Sequence, residues 1–80
     1  MASAPLIVLG FDPGTANTGW GVVARDGNRL TALGHGCIVT AAQKPTHARL
    51  RQIYTEASQL IRRFQPDIVV LEELFVNVNV

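Results

Sequence analysis

Apolar residues fall into two rhythms along this chain. "PLIVLGFD" is a near-continuous apolar run from Leu6 to Phe11, closed by Asp12. A run without polar alternation predicts a strand buried on both faces, as at the centre of an α/β sheet. "TGWGVVARDGNRLTALGHGCIVT" predicts a hairpin, because two runs rich in Val, Leu and Ile flank "RDGN", where Asp26-Gly27 supplies the turn chemistry. Gly19, Gly21, Gly34 and Gly36 thin those strands and predict bulges or close packing. The spacing then changes to three and four. Leu50, Ile53, Tyr54, Ala57, Leu60, Ile61 and Phe64 make the apolar stripe of a helix. Thr46 is the predicted cap of its start, Arg62 and Arg63 suit the negative end of its dipole, and Pro66 forbids continuation. "DIVVLEE" reads as another short, buried strand, again ending in carboxylates.

The predicted order is three strands, a helix and a fourth strand. The first three form an antiparallel meander. A helical crossover then brings the fourth strand back parallel to an earlier one, with right-handed connectivity. With strands one and four parallel, their C-terminal ends meet at one sheet edge, where open α/β sheets place their sites. Asp12 ends the first strand, and Glu72 and Glu73 end the fourth.

Composition narrows the setting. At 80 residues the chain is one domain at most, and a chain this short buries only about 60% of its unfolded surface. Nearly half its residues are apolar, which fits a globular core. No apolar run approaches the roughly 18–20 residues that cross a membrane, and "MASAPLIVLGF" lacks the basic start of a secretory signal. The lone cysteine, Cys37, excludes an internal disulfide and suits a reducing cytoplasm. The net charge of +1 does not argue for nucleic acid. Arg49, Arg51, Arg62 and Arg63 cluster in the helical stretch and read as a solvated face in preference to a phosphate contact.

Carboxylates brought close repel one another, so a site built from them needs a proton or a cation. Oxygen donors favour Mg²⁺ or Mn²⁺ over zinc, and such ions activate water against phosphodiesters. Asp12 and one glutamate are too few for a metal pair. Asp26 falls in a hairpin turn, Glu56 mid-helix and Asp67 at the wrong end of its strand. Alternation along the fourth strand separates Glu72 from Glu73 but does not choose between them. Blander readings stand beside these. Asp-Pro-Gly is a common turn phrase. Glu72 and Glu73 can be solvated strand ends, and on residue type alone Phe75 is a core ring. Thr15, Asn17 and Thr18 suit local hydrogen bonding. His35 and His47 read as structural or surface residues, Cys37 as a small strand residue and Trp20 as a cover for the sheet.

"LGFDPGTANTGWGVV", the helix ending "RFQPD", and "VVLEELFVNVNV" together resemble the RuvC family of Holliday-junction resolvases, over essentially the whole chain from about Leu6 to Val80. The resemblance implies an RNase H-like α/β fold and a Mg²⁺-dependent endonuclease (Mn²⁺ as substitute) that cuts four-way DNA junctions. It implies that Asp12 and Glu72 are catalytic, metal-holding carboxylates and that Phe75 contacts bases at the junction centre. It further implies a cytoplasmic homodimer working with a branch-migration helicase complex. The family's remaining acids lie later, on a helix beyond a fifth strand, so residues 1–80 are expected to be the N-terminal part of one nuclease domain, inactive alone. Two other readings compete: a nucleotide-binding ATPase fold of the actin and Hsp70 type, and a non-catalytic RNase H-like module that binds nucleic acid.

Overall fold

The computed structural model describes residues 4–14 and 16–72. Strands β1 (Leu6–Pro13), β2 (Asn17–Asp26) and β3 (Arg29–Val39) form the antiparallel meander. Helix α1 (Thr46–Phe64) crosses over, and β4 (Ile68–Leu71) returns parallel to β1, giving the sheet order β3-β2-β1-β4. Element types and order agree with the sequence reading. The β2–β3 turn turns on Gly27, whose φ of 62° at the first central position is the pattern of a type II′ hairpin. A bulge lies between Val22 and Val23, opposite Gly34 and Ala32, where the thinned strand predicted one.

Burial is where the sequence reading needs correction. The core comprises Leu9, Phe11, Val22, Ile38 and Leu60, packed between one face of the sheet and α1. Each such side chain contributes about 1.5–3 kcal/mol. The opposite face is open, so β1 is not buried on both sides: Leu9 and Phe11 are covered, whereas Asp12 is exposed. All four residues of β4 are exposed, because β4 is the outer strand and α1 lies over its inner neighbours. The helical stripe divides in the same way. Leu60 is buried and Ile53, Ala57 and Phe64 pack against the core, but Leu50, Tyr54 and Ile61 remain exposed.

Thr46 does not cap α1. Pro45 is the cap residue, with extended φ and ψ, and its carbonyl accepts from the N–H groups of Ala48 and Arg49, while Thr46 is already helical. Gln65 closes the other end in the left-handed conformation (φ 50°, ψ 54°) and donates its N–H to the Ile61 carbonyl. Arg62 and Arg63 lie in the last turn, and Arg63 stacks over the Phe64 ring at 4.6 Å. Trp20 covers Gly36 and Gly34 and meets Phe64 at 5.9 Å, tilted by 49°.

Asp67 turns out to hold the sheet together. Its carboxylate accepts the Ile7 N–H at 2.8 Å, and its own N–H donates to the Ile7 carbonyl at 2.8 Å. That clasp starts the β1–β4 ladder, in which Val8 faces Ile68 and Phe11 faces Leu71. Among the described residues, no helix is long and apolar enough to cross a membrane.

Candidate functional site

The β1–β4 register decides which acids meet. Phe11 pairs with Leu71, and the Glu72 N–H donates to the Phe11 carbonyl at 3.1 Å. Glu72 therefore extends the ladder one step and stands beside Asp12, at the roughly 4.8 Å spacing of adjacent strands. Both residues are exposed, and both line one cavity of about 560 Å³ on the open face of the sheet. The structure thus brings Asp12 and Glu72, the two acids that the resemblance implied, to one cavity. Glu73 and Phe75 lie outside the described residues, as does Thr15.

The floor of the cavity is glycine. Gly10 faces Gly21 across the β1–β2 ladder, and Asp12 faces Gly19. A Cβ on Gly10 or Gly21 would meet nothing within 4 Å, so the missing side chains leave open space rather than room for packing inside the sheet. Bare backbone beside two carboxylates leaves room for a bulky group to come close to the acids.

His35 is the residue that sequence reasoning set aside. It faces Gly21 on β3 and lines the same cavity as the acids. Its signal was the alternation of β3, which places residues 35 and 37 on one face, but that signal becomes useful only once the β2–β3 register is known. Cys37, opposite Gly19, is an exposed free thiol. His47 is exposed on α1, and among the described residues no three His, Cys, Asp or Glu side chains cluster as metal ligands. The oxygen donors of Asp12 and Glu72 suit one side of a hard cation's shell. They do not complete it, since Mg²⁺ takes six ligands.

The turn after Asp12 is closed by a hydrogen bond from the Gly14 N–H to the Asn17 carbonyl at 2.8 Å. Any Cβ on Gly14 would run into that carbonyl oxygen, so the Asp-Pro-Gly phrase has a steric reason as well as a chemical one. Asn17 serves the loop through its backbone, and Thr18 is buried in β2. Glu56 accepts from Gln52 Nε2 on the same helix and takes no part in the cavity.

Comparison with known proteins follows the same residues. Residues 8–80 match the family model described as crossover junction endodeoxyribonuclease RuvC. A curated relative, the crossover junction endodeoxyribonuclease RuvC of Alkaliphilus metalliredigens, is 43% identical over 74 residues, covering 92% of this chain and 45% of that protein. The structure of Thermus thermophilus RuvC superimposes with a TM-score of 0.80 at 32% identity, over 88% of this chain and 46% of that one. The same protein in complex with Holliday junction substrate gives 0.78 at 31% identity, over 92% and 46% of the two chains. The chain thus spans less than half the length of the relatives it matches.

Proposed function

Because the chain belongs to the RuvC family of crossover junction endodeoxyribonucleases, we propose that it forms the N-terminal part of a nuclease domain that hydrolyses phosphodiesters at four-way DNA junctions. One observation carries this reading: Asp12 and Glu72, 60 positions apart in the chain, line a common cavity at the carboxyl edge of an RNase H-like sheet. The related structure with Holliday junction substrate supports the substrate class.

Asp12 and Glu72 are the residues that would hold Mg²⁺, with Mn²⁺ as substitute, and their donor chemistry fits one side of its shell. When bound, the ion supplies Lewis-acid polarisation of the phosphate and a more acidic water. The chain's own residues do the rest. The paired carboxylates fix one side of the reacting centre. Gly10, Gly19 and Gly21 let the DNA backbone come close, and Phe75 offers a ring for stacking on an unpaired base. The family half that this chain does not span would supply the remaining acids, so residues 1–80 alone are expected not to cleave. A homodimer matching the two-fold symmetry of the junction, a branch-migration helicase complex as partner and a cytoplasmic setting complete the proposal.

The test uses this chain continued to full family length. A synthetic four-way junction and a matched linear duplex are incubated with and without Mg²⁺, beside the Asp12→Asn variant. Paired nicks in the junction alone, dependent on the ion and lost in the variant, are expected. A junction left intact under all conditions would refute the reading.

A further inference from the structure

We propose that Thr40 and Arg49 form a positioning clasp for the carboxylate-bearing end of β1, a role that rests on the nuclease reading above. Thr40 directly follows β3 and is 5% exposed. Its N–H donates to the Ala16 carbonyl at 3.1 Å, and its Oγ1 accepts from Arg49 Nε at 3.1 Å. Thr40 therefore ties the tip of the β1–β2 hairpin, through its backbone N–H, to the first turns of α1, through its side chain. Gln52 repeats the tie one residue earlier, its Nε2 donating to the Val39 carbonyl at 2.8 Å.

The clasp sits where packing is missing. A cavity of about 220 Å³ lies between the hairpin tip and the helix, lined by Gly14, Thr40, Thr46, Arg49, Leu50 and Ile53. Gly14 cannot carry a side chain to fill it, because the Asn17 carbonyl occupies that space. Directional hydrogen bonds take over the work that apolar contact does elsewhere in the molecule. Asp12 stands two residues before Gly14, within the same hairpin. On its other flank the Glu72 N–H is bonded to Phe11. With both flanks held, the backbone positions that carry the two carboxylates are fixed relative to each other. With the Thr40 flank released, the hairpin end shifts relative to β4, and displacements of about 1 Å at a reacting centre cost up to a hundredfold in rate.

The proposal separates cleavage from DNA affinity, because Arg49 acts through Thr40 rather than by touching a phosphate. The experiment uses the protein at full family length with the four-way junction. It measures cleavage rate against Mg²⁺ concentration, and junction affinity without the ion at several salt concentrations. Thr40→Val removes Oγ1 while keeping the shape and the backbone N–H. It is expected to raise the Mg²⁺ needed for half-maximal rate and to lower the saturated rate about tenfold or more, with junction affinity within about twofold of the unsubstituted protein. Thr40→Ser restores both. Arg49→Gln reproduces the loss. Should Thr40→Val fail to fold, Arg49→Gln beside Thr40→Ser carries the same comparison. An unaltered Mg²⁺ response in Thr40→Val and Arg49→Gln would overturn the clasp while leaving the nuclease reading intact. So would an Arg49→Gln variant whose main defect is weaker junction binding with a shallower salt dependence, the mark of a phosphate contact. No cleavage by the unsubstituted protein would sink both.

Discussion

Two glycines of the same sheet should respond to the same substitution with opposite sign. A Cβ placed on Gly36 meets the Trp20 ring at 2.8, 2.9 and 2.9 Å, distances real Cβ contacts do not adopt. The ring cannot simply move away, since its other contacts include Phe64 at 5.9 Å. Overpacking of this kind costs about 1–3 kcal/mol. Replacing glycine by alanine in a strand returns about 0.5–1 kcal/mol through lower chain entropy in the unfolded state. Gly36→Ala is therefore destabilising by about 1 kcal/mol at mid-range, within roughly 0–2.5 kcal/mol after that offset. At Gly21 a Cβ meets nothing within 4 Å, so only the entropic gain applies. With an unfolding entropy of about 2.1 cal/mol/K per residue, each kcal/mol moves the melting temperature of an 80-residue chain by about 6 °C. Thermal melts followed by far-ultraviolet circular dichroism should place Gly36→Ala several degrees below the unsubstituted chain and Gly21→Ala a few degrees above it. Trp20→Val in the Gly36→Ala background removes the obstacle, so the penalty should largely disappear in the double variant. Equal shifts for the two glycines, or a Gly36 penalty that persists without the Trp20 ring, would refute the steric reasoning.

Further predictions bear on the site, the ladder and the helix end. On the proposed metal-holding role, removing the Glu72 carboxylate forfeits several kcal/mol of charge stabilisation, so Glu72→Gln at full family length should slow junction cleavage by roughly a thousandfold while still binding the junction. A gel assay in which that variant cleaves normally would take Glu72 out of the site. Asp67→Ala strips the Ile7 N–H of its acceptor and should cost about 1 kcal/mol, read as a lower urea midpoint with unchanged slope. Gln65→Gly relieves a left-handed residue that costs about 1 kcal/mol or more and should raise the melting temperature by several degrees. An unchanged melt would show that the side-chain bond from Gln65 Nε2 to the Arg62 carbonyl, at 3.2 Å, offsets the strain. Leu9→Ala empties a fully buried position and should cost about 2.7–5 kcal/mol, enough to leave little cooperative melting in so small a chain.

Element order was legible because each signal is local. Glycine at 27, proline at 66 and the change of apolar spacing at Leu50 act on their own neighbours. The burial of β1 and β4 was not legible, because a continuous apolar run states what a strand can tolerate, not what covers it. In this chain α1 covers one face, and the outer position of β4 leaves its residues exposed. The same limit applied to the candidate site. Asp12 stood out by ending an apolar run before a turn. The choice of Glu72 rested on resemblance to a family, and its place beside Asp12 needed the register that Asp67 begins. His35 and the Thr40–Arg49 pair were hidden because their partners are distant in the chain or are backbone atoms. Residue type carries no mark of either.

The parallel pairing of β1 with β4 also sets an order in time. The meander closes through near neighbours, as Asp26 and Arg29 do across their turn, and such contacts form early. The β1–β4 ladder closes a loop that spans β2, β3 and α1, and long-range closures of this kind slow folding. Asp12 and Glu72 come together only when that ladder closes. On the proposed nuclease reading, the topology would thus keep the two acids unpaired until that ladder closes.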